Sequence, residues 1–172
     1  MEKTVQNRTR EMVYMAMFIA IVFVATNIRV HIPLGTGGLI HIGTLVMFAI
    51  ALKYGPRYGA VSAAIGMTIF DFVSGWASWA PGTFLVRLIA GFVVGYLAYS
   101  QAGQGENAKR NVIAIAAGGL VIVVGYYFFE ALFITEFYGA FASIPGNLAQ
   151  IAIGVFSLFI LKSLPPLPSE IE

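Results

Sequence analysis

Asp71, Arg87 and Glu130 are ionisable side chains set inside stretches otherwise apolar enough to cross a lipid bilayer. A charge at mid-bilayer costs about 2.5–3.5 kcal/mol on insertion scales, so such residues face a protein interior or a water-filled cavity. Two arrangements follow from these residue types. Arg87 can hold one carboxylate through paired hydrogen bonds, locking helices together, or the charges can meet a bound ligand. His41, at the entrance of a second apolar run, is an interfacial polar group or a further ligand contact. Asn27 and Asn147 lie near the ends of the first and last apolar runs and add neutral donors and acceptors.

Aromatic residues gather near these positions: Trp76, Trp79, Tyr126, Tyr127, Phe128, Phe137 and Tyr138. Trp and Tyr belts at headgroup depth are the ordinary reason for such enrichment, and a belt accounts for most of them. A belt does not explain why both tryptophans fall in one short connection, Ser74–Gly82, beside Asp71. Aromatic walls with a few convergent polar groups hold small planar ligands. Trp79 and Tyr127 are therefore assigned to the wall of a site.

The elements that must position these residues are six apolar runs, 12–28, 39–52, 58–73, 83–99, 112–135 and 144–161, separated by polar or Gly/Pro punctuation. Hydrophobic residues make up 59% of the chain and charged ones 10%, with a mean hydropathy of +0.84. Soluble domains are roughly 25% charged. The expectation is a single all-α integral membrane domain over residues 1–172, with six transmembrane helices and lipid as its solvent. The second run is short for a span and follows Pro33, Gly35, Gly37 and Gly38, so it is tilted or preceded by a loop that dips into the protein. The first run, Met12–Ile28, lacks a small-residue cleavage site and reads as a retained helix. Gln101–Arg110 is a polar linker, and the tail from Pro165 to Pro168 is expected to fray.

Cytoplasmic loops keep an excess of Lys and Arg. With the N-terminus inside, Lys3, Arg8, Arg10, Lys53, Arg57, Lys109, Arg110 and Lys162 are cytoplasmic, and Arg29 alone is outside. Six spans then leave both termini in the cytoplasm. In this topology Asn27, His41, Asp71, Arg87, Glu130, Asn147 and Gln150 all fall in the outer half of the membrane. Scattered polar residues would not choose one leaflet in every helix.

Small residues recur at four-residue spacing: Ala16 and Ala20, Gly59 and Ala63, Ser62 and Gly66, Gly91 and Gly95. Such pairs flatten a helix face and let backbones approach. The last three pairs suit packing within the bundle. Ala16 and Ala20 lie on the inner half of the first helix among Met12, Met15, Met17 and Phe18, where a flat patch invites a partner helix.

Several chemistries are excluded. The chain has no G-x-x-x-x-G-K-[ST] loop for ATP hydrolysis. Ser74–Gly75 resembles half of a serine-protease motif, but no histidine follows it. His31 and His41, ten residues apart across glycines, make a poor metal site. With no cysteine there is no thiolate ligand or nucleophile, and a net charge of +2 does not suggest nucleic acid. No cofactor is expected.

The order Ala16-x-x-x-Ala20, His41-Ile42-Gly43, Tyr54-Gly55-Pro56-x-x-Gly59-Ala60, Gly66 with Asp71, Trp79-Ala80-Pro81 and Gly91 resembles the substrate-binding S components of energy-coupling factor (ECF) vitamin transporters. The similarity covers nearly the whole chain and is greatest to the hydroxymethylpyrimidine or pyridoxine branch, with pantothenate and riboflavin branches close. It implies a six-helix bundle in the cell membrane and a vitamin held near the outer surface, under the loop joining helices one and two. It also implies transport only when docked, through the Ala16/Ala20 face, on a transmembrane coupling subunit with two ATPases. The sequence thus predicts a vitamin-capturing transport subunit, with Asp71, Trp79, Arg87, Glu130, His41, Asn147, Tyr127 and Asn27 as substrate contacts. The alternative of another class is a stand-alone secondary transporter or channel using Asp71 and Glu130 as ion or proton carriers. Such a carrier needs polar groups through both leaflets, and the inner halves of these helices hold few.

Overall fold

A computed structural model describes residues 2–31, 39–100 and 105–167. Helix α1 (Glu2–Asn27) leads into a short antiparallel hairpin, β1 (Arg29–His31) and β2 (Leu39–His41), in which Arg29 pairs with His41 and His31 with Leu39. Helices α2 (Gly43–Tyr54), α3 (Pro56–Val73), α4 (Ala80–Tyr99) and α5 (Ala108–Phe133) follow. The last apolar run contains α6 (Phe137–Ala140), a 3-10 turn, α7 (Ile144–Val155) and α8 (Ser157–Ile160).

The helix boundaries differ from expectation where local geometry intervenes. Residues 39–41 form a strand instead of opening the second helix, because their backbone is claimed by β1 and the Ile42 amide donates to the Ile28 carbonyl at 3.2 Å. Helix α2 starts at Gly43, where any Cβ would collide with the Thr26 hydroxyl and come within 2.9 Å of His41 Nδ1. Helix α4 starts at Ala80, before the expected 83, since Pro81 in the first turn lacks only an N–H that has no helical partner there. Helix α1 runs back to Glu2 through polar residues, beyond the expected start at 12. The expected final helix is broken at Phe156. The loop glycines at 35, 37 and 38, with Pro33, lie outside the described residues, as do 101–104 of the linker and Pro168 of the tail. The described part of the tail is docked: the Tyr54 hydroxyl donates to the Pro165 carbonyl at 2.9 Å, and Leu167 packs on the core.

Four helical stretches are long and apolar enough to cross a bilayer: Val5–Asn27, Ala80–Tyr99, Ala108–Phe133 and Phe137–Ser163. Helix α2, at 12 residues, reaches only about 18 Å at 1.5 Å per residue. Helix α3 has 18 residues, but Arg57 and Asp71 within it lower its hydropathy. It packs against α1, α2 and α4, and a helix surrounded by helices does not have to dissolve in lipid. Many large apolar side chains are meanwhile exposed, from Met12 and Ile21 on α1 to Leu120 and Leu132 on α5.

The expected small-residue pairs on α3 and α4 do mediate internal packing. A Cβ at Gly91 would lie 2.6 Å from the Gly59 carbonyl oxygen and 2.8 Å from Ala60 Cα, and one at Gly95 would overlap Pro56. These obstacles are backbone atoms, so α3 and α4 must separate to admit a side chain. Gly91→Val is expected to destabilise the folded protein by about 1–3 kcal/mol through overpacking, visible as a lowered midpoint of thermal unfolding in detergent. An unchanged midpoint would contradict this contact.

Candidate functional site

Polar side chains converge at one end of the bundle, where α1, α3 and α5 finish and α2, α4 and α7 begin. Their helical positions explain the convergence. Thr83 and Arg87 are one turn apart on α4, Tyr126 and Glu130 one turn apart on α5, and Asn147 and Gln150 three residues apart on α7, so each pair shares a helix face. Strand β2 contributes Leu39 and His41, and the end of α3 contributes Asp71.

Together they line a small cavity of about 80 Å³ that opens to solvent, with Trp76, Trp79, Ser143 and Gly146 completing the wall. The two indole rings meet edge to face at 5.1 Å, and Trp79 Nε1 donates to Glu130 Oε1 at 3.3 Å.

Arg87 is the most deeply buried charge at the site, 1% exposed. Of the two arrangements open from sequence, the ion pair of Arg87 with Asp71 or Glu130 is absent among the described residues. Its Nε donates to the Tyr126 hydroxyl at 3.2 Å, Nη1 to Thr44 Oγ1 at 3.0 Å and Nη2 to Gln150 Oε1 at 3.0 Å. The guanidinium carbon also lies 5.2 Å from the centroid of the Tyr126 ring. Three neutral oxygens from α5, α2 and α7 occupy the guanidinium edges that a carboxylate would need. The network continues outward: Thr44 donates to Gln150 Oε1 at 2.9 Å, Gln150 Nε2 donates to the Leu39 carbonyl at 2.6 Å, and Tyr126 donates to Thr83 Oγ1 at 3.1 Å. Arg87 thereby connects four helices and, through Gln150, the hairpin.

Six of the eight residues assigned to substrate from sequence line the cavity: His41, Asp71, Trp79, Arg87, Glu130 and Asn147. Asn27 and Tyr127 do not. Asn27 is exposed and folds back on its own helix, donating to the Phe23 carbonyl at 2.8 Å. Tyr127 is turned about 100° around α5 from Tyr126 and packs among Phe128, Phe137 and Phe141. The aromatics thus divide, with Trp76, Trp79 and Tyr126 on the cavity, and Tyr138, 87% exposed, typical of those facing outward. Thr44, Thr83, Tyr126, Ser143 and Gln150 were not assigned to the site from sequence. The same-face spacings to Arg87, Glu130 and Asn147 were the available signal for Thr83, Tyr126 and Gln150; Thr44 and Ser143 had none.

An all-α membrane protein with a polar cavity at one end of its bundle is a binding or transport component in form. The chain belongs to the ECF-type riboflavin transporter S component family, whose sequence model matches residues 6–164. That family is one of membrane transport subunits rather than a known enzyme family, and it implies vitamin uptake with ECF-module partners. The chain is also 28% identical over 102 residues to an uncharacterised protein of Pyrococcus woesei described as lying in a gap 3' region. That match covers 59% of this chain and 66% of the relative, slightly under two thirds of its length.

Because Arg87 donates three hydrogen bonds and Tyr126 shares only one of them, their truncations should differ in size. Tyr126→Phe is expected to cost about 1 kcal/mol of stability and Arg87→Lys about 1–3 kcal/mol, a lysine being unable to span three acceptors. Thermal unfolding of both variants in detergent checks the order; equal midpoints for Arg87→Lys and the parent protein would remove Arg87 from its central place.

Proposed function

We propose that this protein captures a small water-soluble vitamin of the hydroxymethylpyrimidine or pyridoxine type at the outer membrane face. It releases the vitamin inward as the S component of an ECF transporter, docked on a transmembrane coupling subunit driven by two ATPases. The observation that carries this reading is the cavity, in which buried Asp71, Glu130, His41 and Asn147 converge beside Trp76 and Trp79. Indole faces suit a planar heterocycle, and the polar groups suit ring nitrogens and hydroxyls. The bundle spans the membrane six times, with α2 and α3 as shielded spans and both termini in the cytoplasm. The Lys/Arg asymmetry supports that orientation.

Riboflavin is the second reading, favoured by the family's description. Pantothenate lacks a ring for the indoles to stack on. A secondary carrier is disfavoured because the polar cluster occupies one end of the bundle. Calorimetric titration of the purified protein with hydroxymethylpyrimidine, pyridoxine, riboflavin and pantothenate tests the assignment. Binding of either of the first two is expected, with Asp71→Asn or Arg87→Ala weakening it by about 1–3 kcal/mol. Tight binding of pantothenate or riboflavin, with no response to the other two, would reject it.

Ala16 and Ala20 are exposed on α1, whereas Phe18, Val22 and Ala25 turn inward. Their exposure supports a docking face separate from the bundle's own packing, at the end away from the cavity. Ala16→Trp or Ala20→Trp is accordingly expected to abolish uptake in cells and co-purification of the coupling subunit, while vitamin affinity of the isolated subunit stays near that of the parent. Joint loss of folding, binding and uptake would refute the docking role, as would full uptake.

A further inference from the structure

The cavity wall holds acceptors that the protein itself does not satisfy. Asp71 is 7% and Glu130 5% exposed. Oδ2 of the first and Oε2 of the second have no hydrogen-bond partner, and neither has Nδ1 of His41. The hydrogen bonds of Arg87 go elsewhere, from Nε, Nη1 and Nη2 to Tyr126, Thr44 and Gln150. Among the described residues, neither carboxylate is in ion-pair contact with Arg87. Each carboxylate therefore keeps an unpartnered oxygen within a largely buried space. A buried carboxylate oxygen without a donor is costly, and a ligand that supplies donors and a compensating charge relieves that cost.

We propose that the ligand presents amino or ring N–H donors to Asp71 and Glu130 and is bound as a cation. The cavity then selects amino-substituted nitrogen heterocycles and rejects anions, including carboxylated and phosphorylated relatives of the same ring. The inference rests on the ligand-capture reading above and narrows it. A 4-aminopyrimidinium ion carries its ring N–H at N1 and its exocyclic amine across the ring at C4, so its two donors can address two separate carboxylates by charge-assisted bonds. Anions would face two unpartnered carboxylate oxygens.

Both tryptophans of the chain lie on the cavity wall, so intrinsic fluorescence reports on the site directly. The purified full chain is titrated with pairs matched on one ring: hydroxymethylpyrimidine against its 4-oxo analogue, pyridoxamine against 4-pyridoxate, and benzamidine against benzoate. The amino or cationic member is expected to bind at least tenfold tighter in each pair that binds, and Asp71→Asn and Glu130→Gln are each expected to shrink that ratio. A ratio within a pair is insensitive to a general loss of active protein, which affects both members alike. Equal affinities, tighter binding of the oxo or anionic member, or no response to any cationic probe would overturn the proposal. A response to benzamidine but not benzoate, with neither vitamin pair binding, would reject the vitamin class and leave the charge selectivity standing. Vitamin binding without amino preference would do the reverse.

Discussion

The buried guanidinium of Arg87 is the interaction on which this end of the molecule depends. A cation at membrane depth persists only where its donors are met and its charge is solvated by protein, and here the partners come from three other helices. Thr44 on α2, Tyr126 on α5 and Gln150 on α7 each turn an oxygen toward it. Because these partners are neutral, the arginine fixes the positions of the helices without neutralising either carboxylate. That division leaves Asp71 and Glu130 as acceptors on the cavity surface, and a simple salt bridge would have removed one of them. Gln150 relays the same constraint to the Leu39 carbonyl, so the hairpin at the cavity is tied to the network that shapes its floor.

The opposite requirement governs the rest of the bundle, where close backbone contact replaces polar networks. Gly91 and Gly95 of α4 pass against Gly59 and Pro56 of α3 with no room for a side chain, and lipid offers no hydrophobic gain that could substitute for this packing. Aromatic stacking of Phe18 on Tyr54 at 4.7 Å and of Phe18 on Tyr58 at 5.5 Å joins α1 to the α2–α3 turn. The end away from the cavity is closed by backbone acceptors: Tyr99 donates to the Lys53 carbonyl and Arg110 to that of Ser100. A packed frame with a polar opening at one end suits the capture role proposed above, and α1 leaves Ala16 and Ala20 exposed.

The sequence by itself determined the solvent, the helical class and the end of the bundle at which polar groups gather. Those properties follow from hydropathy and from a register that any helix must obey, so His41, Asp71, Trp79, Arg87, Glu130 and Asn147 could be named before any packing was known. Rotation about each helix axis was the first thing left undecided. Tyr126 and Tyr127 are adjacent in the chain, yet one holds the arginine and the other packs among phenylalanines, because only the neighbours of α5 distinguish its faces. Partner choice was the second. The residue types alone left a carboxylate and a ligand both open as the partner of Arg87, whereas the tertiary structure gave it Thr44, Tyr126 and Gln150, residues up to 106 positions apart from one another. Hydrogen-bond partners in a bundle are set by which helix ends meet in space, and no local spacing in the chain carries that information.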